Sequence, residues 1–227
     1  MKYDILQQAE QLLLAVKMQQ STSDLVKALA EGVTTTLLEQ LDTDTKKKTF
    51  WINIYNAYYQ ILRQAGHIKP QIYRSRLFVT AGKQYSLDDV EHGILRKNKF
   101  KYGLDLLPSL FVVPRLKKLA VDKVDYRIHF ALNCGAVSCP PIAFYKSENL
   151  EAQLDMATQS FLEAETEWDE VKKIVGVTAL FRWFYADFGG EAGIRKIYKQ
   201  QLDQDLTGFT IRYREYSWED DLSNFSE

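Results

Sequence analysis

From Thr45 to Gly66 the chain reads T-K-K-K-T-F-W-I-N-I-Y-N-A-Y-Y-Q-I-L-R-Q-A-G. Phe50, Trp51, Ile54, Tyr55, Ala57, Tyr58 and Ile61 take up most of the circumference of a helix. A helix that is apolar nearly all round has to lie inside, with other elements packed around it. Gly66 suits its C-terminal stop. One polar stripe interrupts it, through Asn53, Asn56, Gln60 and Gln64. In a central helix Asn53 and Asn56 are buried amides that need partners. They would then hold a loop or a substrate; the alternative is a stripe that faces water. Lys46, Lys47 and Lys48 read as a solvated helix start beside Asp42 and Asp44.

The first third is helical by pattern. Ile5, Ala9, Leu12, Leu13 and Val16 line one side of a first helix, and Ser23 or Asp24 caps a second with Leu25, Leu29 and Val33 inward. The pattern then changes. Stretches 72–80 and 83–86 read as strands flanking an Ala81-Gly82 hairpin turn. Ser86 and Asp89 form a capping box for the helix L-D-D-V-E-H-G-I-L-R. Residues 103–114 look irregular, 115–119 briefly helical, and 126–133 strand-like. Ser147 opens a helix through Leu150, Leu154, Ala157 and Phe161. A strand over 173–177 follows. Thr178 then caps an aromatic helix that Gly189-Gly190 stops, and Ile194, Ile197 and Leu202 mark another. Stretch 209–216 alternates like a last strand, and the acidic C-terminal residues look frayed. The expected class is α+β: a helical N-terminal third, then a mostly antiparallel sheet with packed helices. A single domain over 1–227 is expected.

The balance of charge narrows the partners. Lys and Arg number 29 against 30 Asp and Glu, which gives no electrostatic case for nucleic acid or an anionic membrane. No stretch approaches the ~20 apolar residues that span a bilayer. The N-terminal apolar piece 12–16 is too short for a signal segment, so the chain reads as cytoplasmic. No cofactor is expected. Two cysteines do not make a disulfide framework; in a reducing compartment they would be thiols, metal ligands or a transient redox pair.

Chemistry concentrates in His129–Ile142, H-F-A-L-N-C-G-A-V-S-C-P-P-I, which holds both cysteines and one of the three histidines. On a strand, Ile128, Phe130 and Leu132 would share one face, and Arg127, His129, Ala131 and Asn133 the other. Cys134 would be a buried small hydrophobe or a nucleophile at a strand end, with Gly135 allowing a tight turn. Cys139 precedes Pro140-Pro141 in a stiff loop expected to be the less buried of the two. Asp88, His92 and Arg96 lie four apart on one helix face, where Asp88 would orient the His92 ring. The bland counterpart is a surface ladder of charges.

Four segments carry a family resemblance. They are F-W-I-N-I-Y-N-A (50–57), S-L-D-D-V-E-H-G-I-L-R (86–96), R-I-H-F-A-L-N-C-G-A-V-S-C-P-P-I (127–142) and F-R-W-F-Y-A-D-F-G (181–189). Together they resemble the uncharacterised family called domain of unknown function 547, over a core of about 50–189. Segments 1–49 and 190–227 would be flanks, helical and strand-ending. The family commonly has Asp-Pro-Arg where this chain has Asp125-Tyr126-Arg127. In other proteins the domain is joined to leucine-zipper or glutaredoxin-like modules, which implies a portable unit. The resemblance implies a site and no particular reaction.

Three functions compete. The first is a thiol-dependent hydrolase or acyl transferase with Cys139 or Cys134 as nucleophile, His92 or His129 as base, and Asp88 or Asn56 orienting the ring. Asn53, Arg96 and Asn133 would complete the site. The second is a zinc site formed by His92, His129, Cys134 and Cys139, although no standard ligand spacing is met. The third is a non-catalytic interaction or scaffold domain whose loop is structural.

Overall fold

A computed structural model describes residues 4–99 and 114–226. The architecture is α+β. Helices α1 (Ile5–Lys17), α2 (Ser23–Glu31), α3 (Thr34–Gln40) and α4 (Asp44–Gln64) form the first part, followed by the short α5 (Lys69–Arg74). The hairpin β1 (Phe78–Thr80) and β2 (Lys83–Tyr85) leads into a π-helix, Asp89–Leu95. After α6 (Pro114–Lys117) come a 3-10 helix, Tyr126–Phe130, and α7 (Leu150–Glu165). The last part holds β3 (Glu167–Asp169), β4 (Ile174–Val177), α8 (Leu180–Trp183), α9 (Gly190–Leu202) and β5 (Thr210–Tyr213). β1 and β2 pair antiparallel, as do β3 and β4, whereas β4 and β5 run parallel.

Helix α4 is central, as its composition requires. Every residue from Lys47 to Gln60 is buried. Thr43 caps it through Oγ1, which accepts from the Lys46 N–H at 3.3 Å. Helix α1 packs along it with Ile5, Ala9, Leu12, Leu13 and Val16 inside. This first apolar cluster extends to the hairpin and the π-helix. A second cluster gathers Phe161, Leu162, Val175, Val177, Phe181, Phe188, Ile194 and Ile197.

The stretch expected as a strand at 126–133 is instead a 3-10 turn, and that changes which side chains share a face. Asp125 Oδ1 accepts from the Arg127 N–H at 3.1 Å and starts the turn without the family's proline. With three residues per turn, positions three apart align. Ile128 and Ala131 enter the first cluster, and Phe130 enters the second. Arg127 leaves toward Asp125, Glu151 and Asp155, so it does not share a face with His129.

Other expectations give way to local chemistry. Pro70 starts α5 where a strand was expected to begin at Ile72. Val33 is exposed at the entry to α3 rather than inward. Lys47 and Lys48 are buried, not solvated: Lys47 Nζ donates to the Ala120 carbonyl at 2.9 Å, and Lys48 Nζ to Asp125 Oδ2 at 2.7 Å. Asn149, rather than Ser147, precedes α7. The stretch 103–113, expected to be irregular, lies outside the described residues. The C-terminal segment does not fray. It runs beside the 135–142 loop, with Val137 N bonded to Glu219 O, Asp221 N to Gly135 O and Ile142 N to Asn224 O. No helix among the described residues is long and apolar enough to cross a membrane.

Candidate functional site

Three buried asparagines shape the site loop. Asn56 Nδ2 donates to the Ala131 carbonyl at 2.9 Å, and its Oδ1 accepts from the Asn133 N–H at 2.9 Å. Asn53 does the same for Tyr145, at 2.8 Å to the carbonyl and 3.1 Å from the N–H. Asn133 Nδ2 donates to the Pro140 carbonyl at 2.7 Å, and its Oδ1 accepts from the Gly135 N–H at 2.7 Å. All three have no exposed surface, so these pairings replace water for backbone groups that would otherwise be orphaned. In the polar stripe of α4, Asn53, Asn56 and Gln60 are buried, and Gln64 alone is exposed.

Within the loop, Cys134 and Cys139 are joined as a disulfide. The Cys134 N–H lies 2.9 Å from Cys139 Sγ, and the Tyr216 hydroxyl lies 3.0 Å from each sulfur. Burial pushes the Tyr216 phenol above its usual pKa, so it stays protonated and donates. The order of exposure is the reverse of the expected one. Cys139 is 4% exposed and Cys134 half-buried, because the loop folds back through Cys139 N to Ala136 O and Asn224 covers the Cys139 carbonyl.

His129 meets a carboxylate outside the expected site residues. Asp187 Oδ2 accepts from His129 Nε2 at 2.9 Å and from Arg96 Nε at 2.6 Å, and Oδ1 pairs with Lys99 Nζ. Burial pushes the Asp187 pKa up, but the bonds from His129 and Arg96 outweigh it and hold the group below the usual carboxylate range. A carboxylate only accepts, so His129 carries its proton on Nε2 and leaves a lone pair on Nδ1. Burial lowers the His129 pKa more than Asp187 raises it, which favours the neutral ring. The ring stacks on Phe184 at 3.8 Å.

His92 is set differently. Arg96 Nη1 is 2.9 Å from His92 Nδ1. A guanidinium only donates, so His92 Nδ1 accepts and Nε2 holds the proton. That nitrogen lies 3.7 Å from Asp88 Oδ1 and 12% of the side chain is exposed. His92 is thereby arranged as a donor and His129 as an acceptor. The orienting group for His129 is Asp187, not Asp88 or Asn56. The capping box forms as expected, with Asp89 N bonded to Ser86 Oγ at 3.0 Å and Ser86 N to Asp89 Oδ2 at 3.2 Å.

Both histidines and both cysteines line one cleft of about 580 Å³. Asp88 and Glu91 lie on one side of it, and Trp183, Phe184, Tyr216 and Trp218 contribute an aromatic wall. Trp183 and Trp218 stack at 5.4 Å, and each packs on Tyr216 at 4.7 Å. Arg96, Asn56 and Asn133 do not line the cleft but bond to residues that do or that adjoin them, whereas Asn53 holds Tyr145, which is not part of the lining. The four-ligand zinc arrangement does not form. The sulfurs are bonded to each other, and among the described residues no group of three or more His, Cys, Asp or Glu side chains is placed to hold a metal ion.

A family model described as "Protein of unknown function, DUF547" matches residues 38–162, more than half of the chain. It starts ahead of the expected core and ends before the motif that carries Asp187. Against curated proteins and against solved structures, no match is found.

Proposed function

We propose a reaction for this chain, which belongs to the DUF547 family of proteins of unknown function: thiol-dependent acyl transfer or hydrolysis in the cleft that holds Cys134, Cys139 and the two histidines. The observation that carries this reading is that His129, bonded from behind by Asp187, lines the same cleft as the cysteines. A nucleophile, a base and a group that orients the base are the minimum for such chemistry.

The reaction requires the disulfide to be reduced first by an external thiol. Cys139 is then the better activated sulfur, since the Cys134 N–H donates to it while the Tyr216 hydroxyl is equally near both sulfurs, and such donors favour a thiolate. Cys134 is the more accessible alternative. His129 Nδ1 takes the proton of the Cys139 thiol, and the resulting thiolate attacks an acyl carbon. The leaving group departs with a proton delivered by the His129 imidazolium, and a thioester remains. Water or an acceptor then attacks the thioester, and His129 takes up the proton. His92, which lines the same cleft, is the side chain assigned to the developing oxyanion.

The test has two parts. Iodoacetamide alkylation of the reduced protein across pH, resolved by peptide mass spectrometry, should show one cysteine reacting as a thiolate below about pH 7. Thioester or aryl-ester turnover should be lost in both Cys139→Ala and His129→Gln. Two cysteines titrating near ~8.5, or turnover that survives both substitutions, would reject the reading. A non-catalytic binding cleft is the second reading, favoured by the exposure of Trp183 (38%) and Trp218 (55%).

A further inference from the structure

We propose that the Cys134–Cys139 disulfide is itself a reaction centre, exchanging with a thiol or disulfide that carries an apolar neighbour, such as a cysteine-containing peptide with an adjacent aromatic side chain. This goes beyond acyl transfer and does not depend on it.

Three observations support the inference. The first is the asymmetry of the two sulfurs: both line the cleft, but Cys134 is half-buried and Cys139 almost fully so. An incoming thiolate therefore meets Cys134. The second is the set of donors. The Cys134 N–H lies 2.9 Å from Cys139 Sγ, and the Tyr216 hydroxyl, 3.0 Å from both sulfurs, can turn to whichever one leaves. A leaving sulfur that is stabilised as an anion leaves faster. The third is the rigidity of the loop. The Cys139 carbonyl is held by Asn224 Nδ2 at 3.0 Å, and Asn133 by Asn56 at 2.9 Å. The opened sulfurs thus stay close enough for Cys139 to act as the resolving thiol.

The chemistry balances. A substrate thiolate attacks Cys134 Sγ, the S–S bond breaks, and Cys139 leaves as a thiolate, giving a mixed disulfide on Cys134. A second substrate thiolate attacks the sulfur of the first substrate in that bond, which releases a substrate disulfide and the Cys134 thiolate. The protein dithiol is reoxidised by the reverse sequence with another disulfide. Trp183 and Trp218 beside the sulfurs offer the surface for the apolar neighbour.

The experiment uses the full chain, oxidised, with two reductants in parallel: glutathione and a short peptide with phenylalanine beside its cysteine. Exchange is followed by intact mass and by tryptophan fluorescence. The peptide should react about tenfold faster than glutathione, the gain expected from burying an aromatic side chain. Given the disulfide form of the same peptide, Cys139→Ser should trap a mixed disulfide on Cys134, and Cys134→Ser should react slowly at Cys139. Tyr216→Phe should slow wild-type opening about tenfold, the effect of one hydrogen bond to a thiolate. Equal rates for the two reductants would overturn the role of the aromatic wall, and a faster adduct on Cys139 would overturn the order of attack. A wild-type disulfide inert to both reductants would overturn the proposal whether or not the variants fold. No acyl substrate is present, so loss of esterase activity with exchange intact rejects the acyl-transfer reading alone.

Discussion

Asp187→Asn tests the centre of the site, because it keeps the shape of the side chain and removes its charge. The carboxylate has no exposed side-chain surface, and its partner Arg96 has 1%. Breaking such a buried ion pair by removing one charge costs ~3–5 kcal/mol. Lys99 is 31% exposed and can turn to water, so the loss at neutral pH should sit at the low end, about 3 kcal/mol. The pH dependence follows from the two depressed pKa values. The Asp187 pKa is depressed in the folded state, so below the unfolded value of ~3.9 the unfolded chain binds a proton that the folded chain does not. Stability from this group is complete above ~3.9 and falls by about 1.4 kcal/mol per pH unit as the pH drops toward the folded value. The folded His129 pKa is also depressed, by burial. Its unfolded ring takes up a proton below ~6.5 while the folded ring resists, so stability begins to fall there. The Asp187→Asn variant should lose the carboxylate limb. It should keep the histidine limb and extend it to lower pH, since the carboxylate that favoured the imidazolium is gone. Urea unfolding followed by tryptophan fluorescence from about pH 7 to about pH 3 measures both limbs. Equal stability of the two proteins at neutral pH, or an unchanged acid limb below ~3.9, would refute the placement of Asp187 as a buried, paired anion.

Asn56→Ala should orphan the Asn133 N–H and the Ala131 carbonyl, at ~1–3 kcal/mol for each buried group; amide exchange at Asn133 should speed up with the loss of stability, and a protected Asn133 amide would contradict the clamp. Gly135→Ala should destabilise by ~1–3 kcal/mol beyond its backbone strain, since Gly135 has φ +64° and an added Cβ would collide with the Tyr59 ring. Gly66→Ala is the control: φ is +85° and nothing lies within 4 Å, so it should show only the left-handed cost of ~1–2 kcal/mol. A melt in which the two variants fall equally would show that the Tyr59 contact does not matter.

What could be read from the sequence was what depends on local pattern. The buried α4 helix follows from its all-round apolar surface, and the amide pairings of Asn53 and Asn56 follow from burial. The Ser86/Asp89 capping box and the Ala81-Gly82 turn, with φ +49° and +70°, are short-range signals. What failed depends on distant partners. The 126–133 stretch alternates like a strand, but Asp125 turns its backbone with a side-chain bond before any sheet can pair with it. The tail looks frayed by composition, yet it bonds to a loop far earlier in the chain: the Ser226 hydroxyl donates to the Ile142 carbonyl, 84 residues away. Asp187 lies in the segment F-R-W-F-Y-A-D-F-G, but nothing local there ties it to His129, 58 residues before it. An aspartate amid five aromatic residues over 181–188 was the available signal, since a carboxylate in such surroundings needs a partner.

The spacing of Asp88, His92 and Arg96 shows how backbone form decides the use of a motif. On an α-helix these residues would stack on one face as a solvated ladder. Here the segment is π-helical, with Arg96 N bonded to Glu91 O at 2.8 Å and Asn98 N to Gly93 O at 3.1 Å. The neighbours of the ladder stay in contact, with His92 Nε2 3.7 Å from Asp88 Oδ1 and Arg96 Nη1 2.9 Å from His92 Nδ1. Asp88, Glu91 and His92 line the cleft, while Arg96 turns inward to the buried Asp187. Gly93 permits this where the π-helix meets Leu116, for an added Cβ would lie 2.6 Å from Leu116 Cδ1. Arg96 then bonds a cleft-lining histidine on one side and, through Asp187, the second histidine on the other. A change of charge at either ring is felt by the other through this chain of hydrogen bonds and its buried carboxylate. The coupling is carried on a π-turn, a form that is rare in helices and frequent at functional sites, and it links Asp88 at the cleft to the buried Asp187 carboxylate through His92 and Arg96.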